Sequence, residues 1–183
     1  MAKKAVIITG KFVQDPEYTY PLYRLQEDGF DVDVAVRGKE TVLAVKGETV
    51  KPTKDIPELK VSDYDILILP GGARALEYIR QDQDVLKFIA DFYKTGKVIG
   101  AICHGCQLLI SAKIVKGKKV SGYYSIKDDI NNAGAKYVDA PAVVDGNLVT
   151  SPHYKHLGPW MGAVLGKYYE WERKKSGSKK SRK

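Results

Sequence analysis

The chain has 183 residues, 44% of them hydrophobic and 28% charged, which suits one globular domain and is too short for two ordinary ones. Its net charge of +8 resembles a nucleic-acid signal until it is located. Residues 173–183 hold seven basic side chains and no acid; the remainder carries 23 basic against 22 acidic residues, a balance of +1. The folded part therefore has no basic footprint. Residues 1–172 are expected to form the domain and residues 173–183 a disordered, solubilising tail that touches nucleic acid weakly if at all. No run is apolar enough to span a membrane, and Met1-Ala-Lys-Lys leads into a strand rather than a secretory signal. Two cysteines three residues apart make no disulfide framework, so a reducing, cytoplasmic setting is expected.

In chain order, Ala5–Thr9 reads as a short buried strand. Tyr18, Leu22 and Leu25 then mark a helix that stops at Gly29. Phe30–Val36 alternates as a strand. Residues 41–62 are β-prone but broken by Gly47, Pro52 and Pro57, which predicts a hairpin or excursion. Asp65–Leu69 is a buried strand ending in Pro70-Gly71-Gly72. Val85, Phe88, Ile89 and Phe92 share one helix face, closed by Gly96.

The most informative run follows. Val98–Ile102 is an apolar strand that stops at Cys103, turns through His104-Gly105, and restarts as a helix through Leu108, Leu109 and Ala112. A nucleophile on such a tight strand-to-helix turn is a nucleophile elbow, and helix N–H groups behind it favour thiolate. Beyond it, Lys119–Tyr123 is predicted as a strand and Ser125 with Asp128 as the cap of a short helix running to Gly134. Val138–Val144 and Leu148–Ser151 should be strands about the Asp145-Gly146-Asn147 turn, before a last helix over 157–172. Strand and helix alternating in this way predict a mostly parallel sheet covered on both faces, with the ligand site at the strands' carboxyl ends.

These residues resemble the PfpI intracellular protease group of the ThiJ/PfpI superfamily, which also holds a deglycase and glyoxalase III. The matching pieces are Leu69-Pro-Gly-Gly72, Ala101-Ile-Cys-His-Gly105 with Gln107–Ala112, Ile126–Gly134, Val143–Asn147 and Trp160-Met161. The resemblance implies a single-domain flavodoxin-like α/β sandwich that works without a cofactor. It makes Cys103 the nucleophile, Glu17 the acid bonded to its sulfur, and the Gly72 and His104 N–H groups an oxyanion site, with Gly71 beside them. Tyr123 becomes a hydroxyl lining the pocket, and Glu77 an acid presented to a neighbouring subunit's His104 in a homo-oligomer, dimeric or larger. The substrate would be a small aldehyde, its adducts, or a peptide.

Each residue also has a plainer reading. Glu17 follows Asp15-Pro16, where acids favour a helix start. His104 is a candidate general base, although neighbours on a tight turn often point apart. Cys106 stands where the family usually has proline, as a packed side chain or as a resolving thiol in a redox sensor or chaperone. The segment Ser151-Pro-His-Tyr-Lys-His156 is unlike the family pattern, and His153 and His156 are candidate rim residues. The spacing from Cys103 and Cys106 to these histidines does not suit zinc, so no metal is assigned.

Overall fold

The computed structural model describes the backbone of residues 3–180 and the side chains of 3–176. In chain order come strand β1 (Lys3–Ile8), helix α1 (Asp15–Glu27), β2 (Phe30–Ala35), β3 (Val42–Leu43), β4 (Thr49–Val50) and β5 (Ile66–Leu69). They are followed by α2 (Ala73–Ile79), α3 (Gln83–Lys94), β6 (Val98–Ile102), α4 (Cys106–Ser111), β7 (Lys119–Val120), α5 (Lys127–Asn132), β8 (Lys136–Tyr137), β9 (Val143–Asp145), β10 (Leu148–Ser151) and α6 (Leu157–Lys180).

The main sheet runs β2-β1-β5-β6-β10-β9. Every pairing is parallel except that of the edge strand β9 with β10. The chain leaves β1 toward one edge and β5 toward the other. Right-handed crossovers in opposite directions put their helices on opposite faces, so α1 and α3 cover the two sides. Helix α6 returns to lie beside α1 against β6 and β10. This is the expected flavodoxin-like sandwich. β1, β5 and β6 are buried along nearly their whole length, as strands covered on both sides must be. At Gly100, in mid-β6, an added Cβ would lie 2.9 Å from Val164 and 3.2 Å from the Trp160 ring, so glycine lets α6 sit close. The Trp160 indole N–H donates to the Val149 carbonyl at 3.1 Å, satisfying its one polar atom inside the core.

Several expectations are corrected. Only Lys119 and Val120 of the predicted 119–123 strand pair, in parallel with β8. The predicted 138–144 strand keeps only its end, because Pro141 has no N–H to give a ladder. The 41–62 excursion is a two-residue-per-strand hairpin followed by single turns. Helix α2 buries Ala75, Leu76 and Ile79 on one face, a pattern too short in seven residues to be read from sequence. Ser125 does not cap α5: it lies in the preceding turn, and α5 has no side-chain cap. The expected disordered tail is helical as far as Lys180; residues 181–183 lie outside the described residues. Lysine and arginine are good helix formers, and cations suit a helix C-terminus, so α6 does not stop at Glu172.

Candidate active site

The strand order reverses between β1 and β5, and the loops after β1, β5 and β6 converge there. Cys103 follows β6 directly with φ 58°, a left-handed conformation that costs a non-glycine residue on the order of 1–3 kcal/mol. A single turn over Cys103–Gly105 then feeds α4. The elbow exists because its neighbours leave room. A Cβ on Gly105 would stand 2.2 Å from the Leu69 carbonyl oxygen, and one on Gly71 would stand 2.6 Å from Glu17 Oε2 and 2.9 Å from both Cys103 Cβ and His104 N. Gly71 is thus the point where the acid, the sulfur-bearing residue and the turn meet.

Glu17 is wholly buried in the first turn of α1. Its Oε2 accepts from the Gly71 N–H at 2.8 Å; among the described residues, Oε1 is without an ordinary hydrogen-bond partner. Burial pushes this carboxyl up to about 8, against the opposing pull of the Gly71 N–H and the Cys103 thiol. Glu17 is therefore a neutral acid near pH 7. The start of α1 is clamped by the β3–β4 hairpin, as Asp15 accepts from the N–H groups of Lys46 and Glu48 at 2.9 and 3.1 Å.

Cys103 is 7% exposed. Burial pushes its thiol up, and a charged Glu17 pushes further, while the His104 N–H favours thiolate. The direction is conditional on Glu17: once the carboxyl holds its proton, the repulsion vanishes and an acid O–H becomes available to the sulfur. The His104 ring does turn toward the thiol, with Nδ1 3.4 Å from Sγ and Nε2 3.4 Å from Ser125 Oγ. Burial holds this imidazole below its usual pKa, hence neutral. With its proton on Nε2, facing Ser125, the ring leaves Nδ1 to accept from sulfur.

The other named residues separate. Gly72 caps α2 at φ 100° beside Gly71. The Tyr123 N–H donates to the Cys103 carbonyl at 3.3 Å, and its ring lies 4.9 Å from that of His104. Glu77, exposed on α2, lines a groove of about 440 Å³ with His104 of its own chain, together with Arg80, Gln107, Ser125 and Asp129. Cys106 is fully buried, its thiol donating to the Ser121 carbonyl at 3.0 Å, and burial pushes its pKa up as well. Such a thiol is a poor attacking group. His153 stacks on Tyr123 at 5.8 Å, whereas His156 lies one turn on, where its N–H donates to the His153 carbonyl. Ser125 reads from sequence only as a helix cap, and Tyr124 and Tyr154 carry no site reading there; the adjacent pairs Tyr123-Tyr124 and His153-Tyr154 are the available signal. Among the described residues, no three His, Cys, Asp or Glu side chains are grouped to hold a metal ion, and no helix is long and apolar enough to cross a membrane.

Glu17→Gln should separate the acid's two effects. An amide can still accept from Gly71 and donate toward sulfur, but it cannot trade a proton, so turnover should fall by roughly 10²–10⁴. Stability should move the other way. A carboxyl raised to about 8 on folding takes up a proton, so wild-type stability is full below its unfolded value near 4.5 and declines as pH rises through 8. Unfolding free energies of the two proteins, from denaturant titrations, should converge near pH 4.5 and diverge by pH 8 in favour of Gln, by up to about 1.4 kcal/mol per unit of pKa separation.

Comparison with known proteins places these features in context. The DJ-1/PfpI family matches residues 3–167. Protein/nucleic acid deglycase 2 of Escherichia coli is 41% identical over 155 residues, 82% of this chain and 89% of the relative. Deglycase PfpI of Pyrococcus furiosus is 37% identical over 158 residues, 86% and 95% of the two chains. The crystal structure of Drosophila melanogaster DJ-1beta superposes with a TM-score of 0.82 at 26% identity, covering 93% of this chain and 95% of that one.

Proposed function

This chain belongs to the DJ-1/PfpI family, and we propose that it is a cysteine-dependent enzyme of deglycase or glyoxalase type, acting without cofactor on small α-oxoaldehydes or their adducts. The observation that carries this reading is the fully buried Glu17 carboxyl, held by the Gly71 N–H against the Cys103 elbow and raised by its burial. With methylglyoxal, the thiol passes its proton to His104 Nδ1 as the sulfur adds to the aldehyde carbon, and Glu17 gives its own proton to the former carbonyl oxygen and is left as a carboxylate, with the Gly72 and His104 N–H groups as candidates to steady the oxygen's developing charge. Glu17 then moves the proton from that carbon to its neighbour, which oxidises the first carbon and reduces the second. The product is a thioester of a hydroxy acid. Water releases lactate and restores the thiol; for a hemiaminal adduct the sulfur displaces the amine at the same carbon, the C–N bond breaking as the C–S bond forms and the amine leaving with the Glu17 proton. Only a group neutral near pH 7 yet able to give up its proton suits both halves of this shuttle.

Methylglyoxal consumption with lactate formation, measured beside cleavage of a fluorogenic peptide, tests the reading. Lactate without peptide cleavage is the expected result, and peptide cleavage without lactate would replace this reading with a peptidase. Glu77→Ala sharpens the comparison. Aldehyde turnover should stay within about twofold of wild type, because no step above uses that side chain. Peptide cleavage in wild type that disappears in the variant would place Glu77 in a peptidase site.

A further inference from the structure

Beside the elbow, five aromatic rings from three separate segments form one contiguous chain of contacts, stacked at Tyr123–His153 and tilted elsewhere. Tyr154 lies 3.9 Å from His153, His153 stacks on Tyr123 at 5.8 Å and 28°, and Tyr123 meets Tyr124 at 4.7 Å and His104 at 4.9 Å. The stack begins at the sulfur, since His104 Nδ1 is 3.4 Å from Cys103 Sγ. It ends in solvent, with Tyr124 72% and Tyr154 39% exposed. Two tyrosines held beside His104 and Tyr123 with their rings open to water are not core fillers. Two of the five rings, His153 and Tyr154, come from the turn that follows β10. His153 is fixed there by its own turn, its Nδ1 accepting from the Lys155 N–H at 3.1 Å.

Resting on the adduct-cleaving reading above, we infer that Tyr123, Tyr124, His153 and Tyr154 are a stacking platform that selects adducts borne on a planar guanidine group over adducts borne on a lysine-type amine. The reaction itself needs only the adducted carbon at Cys103, so it does not discriminate by what nitrogen group the carbon is attached to. The platform does. A guanidine plane lies flat on aromatic rings with its N–H edges still available to water, whereas a tetrahedral ammonium offers no face to stack. The planar group occurs in two sources, the arginine side chain and the guanine ring, and both present the same face to a tyrosine.

A matched ligand series isolates this choice: the carboxyethyl derivatives of N-acetylarginine, of guanosine at its exocyclic amine, and of N-acetyllysine. All three carry the same three-carbon unit, and only the nitrogen group differs. Binding is measured by calorimetry on the full-length Cys103→Ala protein, so the result does not depend on turnover. At least one planar member should bind about tenfold or more tighter than the lysine member; preference for the arginine or the guanosine derivative assigns the source. Adding Tyr124→Leu and Tyr154→Leu should remove the preference, while Tyr124→Phe with Tyr154→Phe should keep it and controls for misfolding. Equal affinity for all three ligands, no binding of any, a preference that survives the leucine pair, or one lost in the phenylalanine pair would overturn the platform. Failure of the adduct-cleaving reading would show separately, as wild-type protein that binds the series but turns over neither aldehyde nor adduct.

Discussion

Replacing Cys103 by alanine is expected to lower aldehyde turnover by at least a thousandfold while leaving the fold intact. The covalent step has no other candidate within the pocket: Cys106, the second thiol, is fully buried and committed to the Ser121 carbonyl. The small cost in stability follows from size and place. Cys103 sits at the carboxyl end of β6 with 7% of its surface exposed, and the change removes a single sulfur atom, a far smaller loss than truncating a large core side chain. The left-handed backbone at this position is imposed by the surrounding turn, so alanine inherits the strain and does not relieve it. Removing the sulfur also removes one of the two groups that pull against burial at Glu17, which should move that carboxyl further upward. Residual turnover above about a tenth of wild type, in protein with unchanged thermal midpoint, would take the nucleophile role from Cys103.

The parts legible in sequence were those written in local pattern. Apolar runs gave the buried strands, the strand–helix alternation gave the parallel sheet, and the strand–Cys–turn–helix run gave the elbow. Glu17 shows what lay beyond reach: its position at a helix start was readable, but its burial depends on Gly71, 54 residues away, closing over it. The contact between His104 and Cys103 was left open because adjacent side chains usually diverge. It forms because the left-handed backbone at Cys103 redirects one of the pair. Glu77 illustrates the opposite case. Resemblance directed it to a neighbour, yet within one chain it already lines the groove that holds His104. The helical reach of α6 is hidden in sequence because a charge cluster has the composition of a disordered segment, although lysine and arginine propagate a helix that tertiary packing has already nucleated.

Gly105→Ala is expected to be the most damaging single-methyl change in the molecule. Its backbone is ordinary helical at φ −54°, so no conformational penalty applies, and propensity alone would favour alanine. Space decides otherwise. The added Cβ would stand 2.2 Å from the Leu69 carbonyl oxygen and 2.8 Å from that of Pro70, and backbone atoms at the end of a central strand cannot swing aside as a side-chain tip can. Either β5 or the elbow must shift, at a cost of about 2–3 kcal/mol or more. For a chain of this size that lowers Tm by roughly 5–10 °C. Because Leu69–Gly71 also holds the Glu17 carboxyl, a shift approaching 1 Å there should cut turnover by about a hundredfold even in the folded fraction. Gly158→Ala on α6 is the matched control. Its Cβ would meet nothing within 4 Å, so the same methyl should be neutral or stabilising by up to about 1 kcal/mol. Equal melting temperatures for the two variants would show that β5 and the elbow do not meet at Gly105 as closely as the glycine implies.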